Sequence, residues 1–201
     1  MAYFVLRMEP LLILEIFGAV TALVFLVLMI KQNIWCWPIG ILSSLCSIYL
    51  FFYSKLYMES FLYLFYVGVG LYGWLKWHQG RQNENVGLPI IASGWSFHLI
   101  SMSICLVLSI GCSWLFKTYT DAERTFIDAT TTMYSLLASY MEAHKMLSSW
   151  LLWIVINFIS IFLYLDRGLK FYAGQMVVFF LLSIAGWLQW KKEYAKQEVK
   201  A

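Results

Sequence analysis

Apolar residues run along this chain in long, nearly unbroken blocks, with polar residues confined to short gaps between them. A bilayer core of roughly 30 Å takes about 20 apolar residues of helix. A window of that size finds seven blocks, at about 11–30, 34–53, 56–77, 95–116, 125–143, 149–165 and 171–190. Backbone groups cannot stay unpaired in lipid, so blocks of this length predict helices rather than the short alternating strands of a barrel. The first block follows Arg7, contains Glu15 and has no small-x-small cleavage site behind it, so it reads as a spanning helix and not a secretory signal. The one long polar gap, His78 to Gly94, includes Gly80-Arg81-Gln82-Asn83-Glu84-Asn85 and reads as a solvated linker between two halves.

Composition agrees with the pattern. Of the 201 residues 62% are hydrophobic and 12% charged, and a soluble domain would need a denser charged shell than that to cover its core. The basic residues fall in small clusters between blocks, which gives no nucleic-acid-binding patch. Cys36, Cys46, Cys105 and Cys112 lie inside apolar blocks without CxxC spacing, so they read as small packing residues, with no disulfide frame and no zinc site. Lys and Arg divide into six on the N-terminal side of the membrane (Arg7, Lys55, Lys117, Arg124, Arg167, Lys170) and eight on the other. The eight are Lys31, Lys76, Arg81, Lys145, Lys191, Lys192, Lys196 and Lys200. That bias, with Asp121, Glu123 and Asp166 on the first side, predicts a cytoplasmic C-terminus.

An internal repeat at an offset of 113 residues gives the blocks an order. Trp37 pairs with Trp150, and Gly73-Trp74-Leu75-x-Trp77 recurs as Gly186-Trp187-Leu188-x-Trp190 without a gap. Ile41 with Ile154, Ser47 with Ser160, Leu56 with Leu169 and Glu15 with Asp128 fall in the same register. Each copy holds three helices, and the block at 95–116 lies between them. The expected fold is therefore all-α: three-helix repeats at 11–77 and 125–190 joined by a linker transmembrane helix. One extra crossing makes the two repeats parallel, an arrangement used by transporters with a central site. The alternative is a duplicated bundle with no transport role.

Polar residues inside a span are the candidates for lining such a site. Asn157 lies mid-helix, with Trp150, Trp153 and Tyr164 at helical intervals around it, and its repeat mate is Ser44. An indole one turn from an amide can stack on a flat aromatic ligand while the amide fixes the ligand's edge. Thr130, Thr131, Thr132, Ser135 and Ser139 offer either a cavity wall or close helix packing. Trp77 and Trp190, beside Lys76 and Lys191 at helix ends, suit the interfacial aromatic belt, whereas Trp35 and Trp37 fit either role. Glu15, Glu59, Asp128 and Glu142 all sit near span ends, which points away from ion coupling and towards facilitated movement. His78, His98 and His144 are far apart, with no HExxH or Gly-x-Ser-x-Gly motif, so no catalytic residue, metal ligand or cofactor is assigned.

Trp150-Leu151-Leu152-Trp153-x-x-x-Asn157-x-x-Ser160, Asp128, Asn33-x-Trp35-x-Trp37-Pro38-x-Gly40 and Tyr72-Gly73-Trp74 together resemble the PnuC family of vitamin transporters over nearly the whole chain. The resemblance implies seven helices arranged 3+1+3, as in a full-length SWEET transporter, in a cell (inner) membrane. It implies facilitated uptake of nicotinamide riboside, trapped inside by a cytoplasmic kinase, with Trp153 and Asn157 as plausible substrate contacts. Riboside members usually carry glutamine where this chain has Tyr63, and some members carry thiamine; both ligands are flat cations suited to stacking on Trp or Tyr. The residues assigned to substrate are thus Trp153, Asn157, Trp150, Tyr63, Tyr66, Ser44, Thr132, Ser135 and Tyr164. A membrane receptor or assembly subunit is the competing class, and a homo-oligomer is compatible with the sequence.

Overall fold

The computed structural model describes the backbone of residues 2–53, 57–84, 87–119 and 125–200, and the side chains of 11–53, 60–80, 87–119 and 125–199. Lys55, Leu56, Asn85, Asp121, Glu123 and Arg124 lie outside the described residues, as do the side chains of Arg7, Glu59, Arg81, Gln82, Asn83, Glu84 and Lys200. Seven α-helices occupy the described chain: α1 (Ala2–Ile30), α2 (Cys36–Tyr53), α3 (Tyr57–Glu84), α4 (Trp95–Tyr119), α5 (Thr125–Ala143), α6 (Ser149–Asp166) and α7 (Lys170–Lys200). Five contain a stretch long and apolar enough to cross a membrane: Leu11–Ile30, Cys36–Tyr53, Trp95–Tyr119, Ser149–Asp166 and Lys170–Val199. The blocks at 56–77 and 125–143 are not among them. The cause is visible in their residues, since α3 is rich in Tyr, Trp and Gly and ends in the polar run from His78 to Glu84, and α5 carries Asp128, four threonines, two serines and Glu142.

The chain divides into two compact units, Met1–Leu88 and Pro89–Ala201. In the first, α2 packs against both α1 and α3. In the second, α6 packs against both α5 and α7, and α4 packs on α5. The boundary falls in the predicted linker, whose described residues are mostly exposed or half-buried. Helix α3 runs on to Glu84, Ile90 is buried, and Ile91 exchanges backbone hydrogen bonds of 3.0 Å with Lys145 and Leu147.

The repeat is visible in the local geometry of each unit. Helix α1 closes with Gln32 at φ 53°, where the Gln32 N–H bonds Met29 and the Asn33 N–H bonds Leu28, both at 2.9 Å. Helix α5 closes with Lys145 at φ 51°, where the Lys145 N–H bonds Glu142 and the Met146 N–H bonds Met141, again at 2.9 Å. This is the Schellman arrangement, and in both copies it places a non-glycine residue in the left-handed region. Every partner in one turn is the residue 113 positions from its counterpart in the other.

The tryptophans repeat as well. Trp37 meets Trp77 edge to face at 5.5 Å between ring centroids, and Trp150 meets Trp190 in the same way at 5.4 Å. Trp77 and Trp190 are therefore not belt residues. Both are buried, Trp190 completely, because Gly73 and Gly186 one turn earlier leave a notch that admits the Trp37 and Trp150 rings. Trp35, 63% exposed, is free to serve as an interfacial residue.

Small residues bring the other helices close. The α4 and α5 backbones approach where Ser109 Oγ donates to the carbonyls of Cys105 and Ala129, and where Ser113 and Thr125 share a hydroxyl bond of 3.0 Å. In the first unit Ser43 donates to the Gly18 carbonyl of α1, and Ser60 to the Ile48 carbonyl of α2. Such contacts suit a lipid solvent, where packing and interhelical hydrogen bonds replace hydrophobic exclusion as the force between helices. The outward faces fit the same solvent: Leu99, Ile100, Ile104, Val107, Leu108 and Ile110 of α4 are all exposed.

Candidate functional site

On α6, steps of three and four residues line up Trp150, Trp153, Asn157, Ser160 and Tyr164 on one face. Trp150 is wholly buried, with its ring occupied by Gly186 and Trp190 of α7. At the far end of the helix, the Tyr164 ring lies 5.8 Å from that of Tyr172. Between these ends sits Asn157, 5% exposed, whose Nδ2 donates to Ser183 Oγ of α7 at 3.1 Å. Ser183 in turn donates to the Phe179 carbonyl at 2.8 Å, so its hydroxyl is fully used.

Helix α5 supplies the facing wall, with Thr132, Ser135, Ser139 and Glu142 in helical register. Thr132 is half-buried. Ser135 is buried, and its backbone carbonyl accepts the Ser139 hydroxyl at 2.9 Å, so the Ser139 hydroxyl is taken up by its own helix. Glu142 is the residue that the sequence undervalued. It lies next to last in α5, as a span-end carboxylate should, yet it is only 3% exposed. Its polar neighbour is the indole N–H of Trp153. That N–H is itself buried and aims at the carboxyl without closing a hydrogen bond of good geometry. The available signal was the spacing of Ser135, Ser139 and Glu142 at i, i+4 and i+7, which puts the carboxylate on the same face as the candidate serines.

The other carboxylates behave as their positions suggest. Asp128 holds Arg167 in an ion pair, with Nη2 donating to both carboxylate oxygens at 2.6 and 2.8 Å, joining the start of α5 to the end of α6. In the first unit Tyr63 stacks on Phe51 at 5.3 Å and meets Tyr66 edge to face at 5.5 Å, while Ser44 is buried on α2. The repeat counterparts of Asn157 and Ser183 are Ser44 and Gly70. Gly70 has no hydroxyl and instead lies against Ile41, so the amide–hydroxyl bond belongs to the second unit alone.

The structure thus gathers Trp153, Asn157, Ser183 and Glu142 around the α5–α6–α7 packing, and Tyr63 with Tyr66 in the first unit. It directs Trp150 and Tyr164 to ring contacts with α7. Indole, amide, hydroxyl and carboxylate together can hold a flat polar molecule. Among the described residues no cluster of His, Cys, Asp and Glu is placed to hold a metal.

Known proteins with the same pattern are transporters. A family model described as nicotinamide mononucleotide transporter matches residues 12–192. The riboflavin/roseoflavin transporter RibM of Streptomyces davaonensis is 24% identical over 93% of this chain and 88% of its own. The nicotinamide riboside transporter PnuC of Escherichia coli is 20% identical over 88% of this chain and 84% of its own. That of Haemophilus influenzae is 24% identical over 89% and 79%. The crystal structure of a vitamin B3 transporter PnuC superposes with a TM-score of 0.75, covering 96% of this chain and 87% of that one at 23% identity.

Proposed function

We propose, from the premise that the chain belongs to the nicotinamide mononucleotide transporter family, that it mediates facilitated uptake of a flat, ring-bearing vitamin precursor. Nicotinamide riboside is the first candidate. The observation that carries this reading is the Trp153–Asn157 pair: an indole whose N–H is buried without a closed hydrogen bond and, one turn on, a buried amide bonded to Ser183. A flat ring can stack on such an indole while the amide reads its polar edge.

In this reading the two three-helix repeats are linked by α4, and transport proceeds by alternating access. The C-terminus is cytoplasmic, and a cytoplasmic kinase traps the substrate by adding a charge that the carrier does not accept. The lean towards uncoupled movement rests on the absence of an ionisable group from the middle of any span. Riboflavin is the second reading, favoured by the relation to RibM and by the Phe51–Tyr63–Tyr66 aromatic group, which offers an aromatic surface in place of an amide. Thiamine, a cation like nicotinamide riboside, is tested beside them.

The deciding experiment is uptake of labelled nicotinamide riboside, thiamine and riboflavin into proteoliposomes without an ion gradient. Saturable uptake of one of them, reaching equal concentrations inside and outside, is the expected result. Accumulation that requires an ion gradient would refute facilitated movement. Binding without uptake would favour a receptor, and neither binding nor uptake an assembly subunit.

A further inference from the structure

Glu142 has no role in the reading above. It is 3% exposed, next to the last residue of a helix that also carries buried Ser135 and Ser139 on the same face. A carboxylate removed from water is costly unless a cation or several donors compensate it. Here the compensation is a single indole N–H, that of Trp153, which the geometry leaves short of a closed bond. Two buried polar groups therefore face each other incompletely satisfied, and one of them belongs to the Trp153–Asn157 pair.

The charged side chains on the surrounding elements do not supply the missing partner. Lys145, three residues on, is buried as well but has bonds of its own; His144 lies against the Tyr140 ring; His98 belongs to α4; and the first turns of α6 carry no charge. Among the described residues no cation is paired with Glu142. Its repeat counterpart in the first unit is Met29, also fully buried, so the same position folds well without any charge. The carboxylate is an addition specific to the second unit. A buried carboxylate that its own protein does not pair with a cation is a candidate to bind a charged ligand.

We propose that Glu142 is a charge-selecting residue: its carboxylate is the counter-ion for a positively charged ring held by Trp153 and Asn157. The inference rests on the transport reading and narrows its substrate class to a cationic heterocycle, with neutral flavins disfavoured. Trp153 serves both ends, presenting its N–H to the carboxylate and its π face to the cation. A ligand lacking the positive charge leaves Glu142 as poorly compensated as in the empty protein, and so gains nothing from it.

The test is binding and proteoliposome uptake of nicotinamide riboside, thiamine and riboflavin by the full chain and by Glu142→Gln, Glu142→Asp and Glu142→Met, each checked for an unchanged melting temperature. Glu142→Gln keeps the shape and removes the charge. It is expected to weaken binding of the transported cation by about tenfold or more, the scale of a lost charge-assisted contact, and Glu142→Asp to retain much of it. Glu142→Met, copying the first unit, should fold normally and match the Gln variant. Wild-type affinity for the cation retained in both neutral variants overturns the inference while leaving the transport reading intact. Preference of the unaltered protein for riboflavin also overturns it. A Glu142-dependent requirement for sodium over potassium would assign the carboxylate to an inorganic ion and overturn the organic-cation assignment. Failure of the unaltered protein to take up any of the three compounds sinks both readings together.

Discussion

A Cβ atom at Gly186 would lie 2.5 Å from Cζ3 of Trp150, and one at Gly73 would lie 2.4 Å from Cζ2 of Trp37. The atoms met are those of a fixed aromatic ring, not the end of a flexible chain. Each three-helix unit is thus closed by the same fitting: an indole from its middle helix seated in a glycine notch of its last helix, with a second tryptophan edge-on behind it.

Filling either notch should loosen the unit that contains it. Gly186→Ala or Gly73→Ala is expected to cost about 1–3 kcal/mol, the usual penalty for overpacking, seen as a lower melting temperature in detergent. Trp150→Phe should recover part of the loss in the Gly186→Ala background, because the smaller ring vacates the clash. An unchanged melting temperature in both single variants would show that the notches are not tight in solution.

Asn157 and Ser183 separate a ligand role from a packing role. If the amide were only a helix bolt, Asn157→Ala and Ser183→Ala would each remove the same hydrogen bond and have similar consequences, near 1 kcal/mol of stability. The transport reading expects asymmetry instead. Asn157→Ala should reduce uptake by about tenfold or more, as when a buried amide that reads a ligand is deleted, whereas Ser183→Ala should retain most of it. Equal losses in the two variants, tracking stability, would remove Asn157 from the site.

How far these features could be read from the sequence depends on what periodicity can express. Hydropathy located the helices, and the Trp–Gly spacing located the repeat, because both are properties of one strand of residues. The burial of Trp77 and Trp190 was not legible: a tryptophan beside a lysine at a helix end looks the same whether it faces headgroups or a glycine notch on its own helix. Glu142 failed for a related reason. Its position near the end of α5 suggested an interface, whereas it is only 3% exposed, a burial that comes from packing between elements and not from the spacing of one helix. Asn157 was legible as a polar residue within an apolar helix. Its partner was not, since Ser183 is one of many small residues on α7 and no repeat mate marks it.

The Asp128–Arg167 pair should be a modest, salt-sensitive clasp. Both contacts come from one guanidinium nitrogen, Nη2, shared between the two carboxylate oxygens, both side chains are more than a third exposed, and pairs of that kind contribute at most about 1 kcal/mol. Arg167→Gln is therefore expected to lower the melting temperature slightly at low ionic strength and not at all near 1 M salt, where the screening length is about 3 Å. Exchanging the charges, Asp128→Arg with Arg167→Asp, should restore part of the low-salt stability, whereas a large loss in Arg167→Gln that salt does not touch would point to a role beyond the clasp.

The α4–α5 contact should depend on side-chain size. Ser109 is fully buried, and its hydroxyl reaches carbonyls of its own helix and of Ala129 on α5, so no room remains at this point for a larger group. Ser109→Ala loses one hydrogen bond and keeps the close approach, and is expected to cost about 1 kcal/mol or less. Ser109→Leu must push the helices apart, breaking the Cys105 and Ser113 contacts four residues to either side, and should reduce the yield of folded protein in detergent much more than Ser109→Ala. Accessibility of Cys105 to a thiol reagent reports the separation directly: the thiol is buried in the intact protein and should become reactive in Ser109→Leu but not in Ser109→Ala. If Cys105 stays protected in the leucine variant while folded protein is recovered in full, the small-residue contact does not hold α4 to α5.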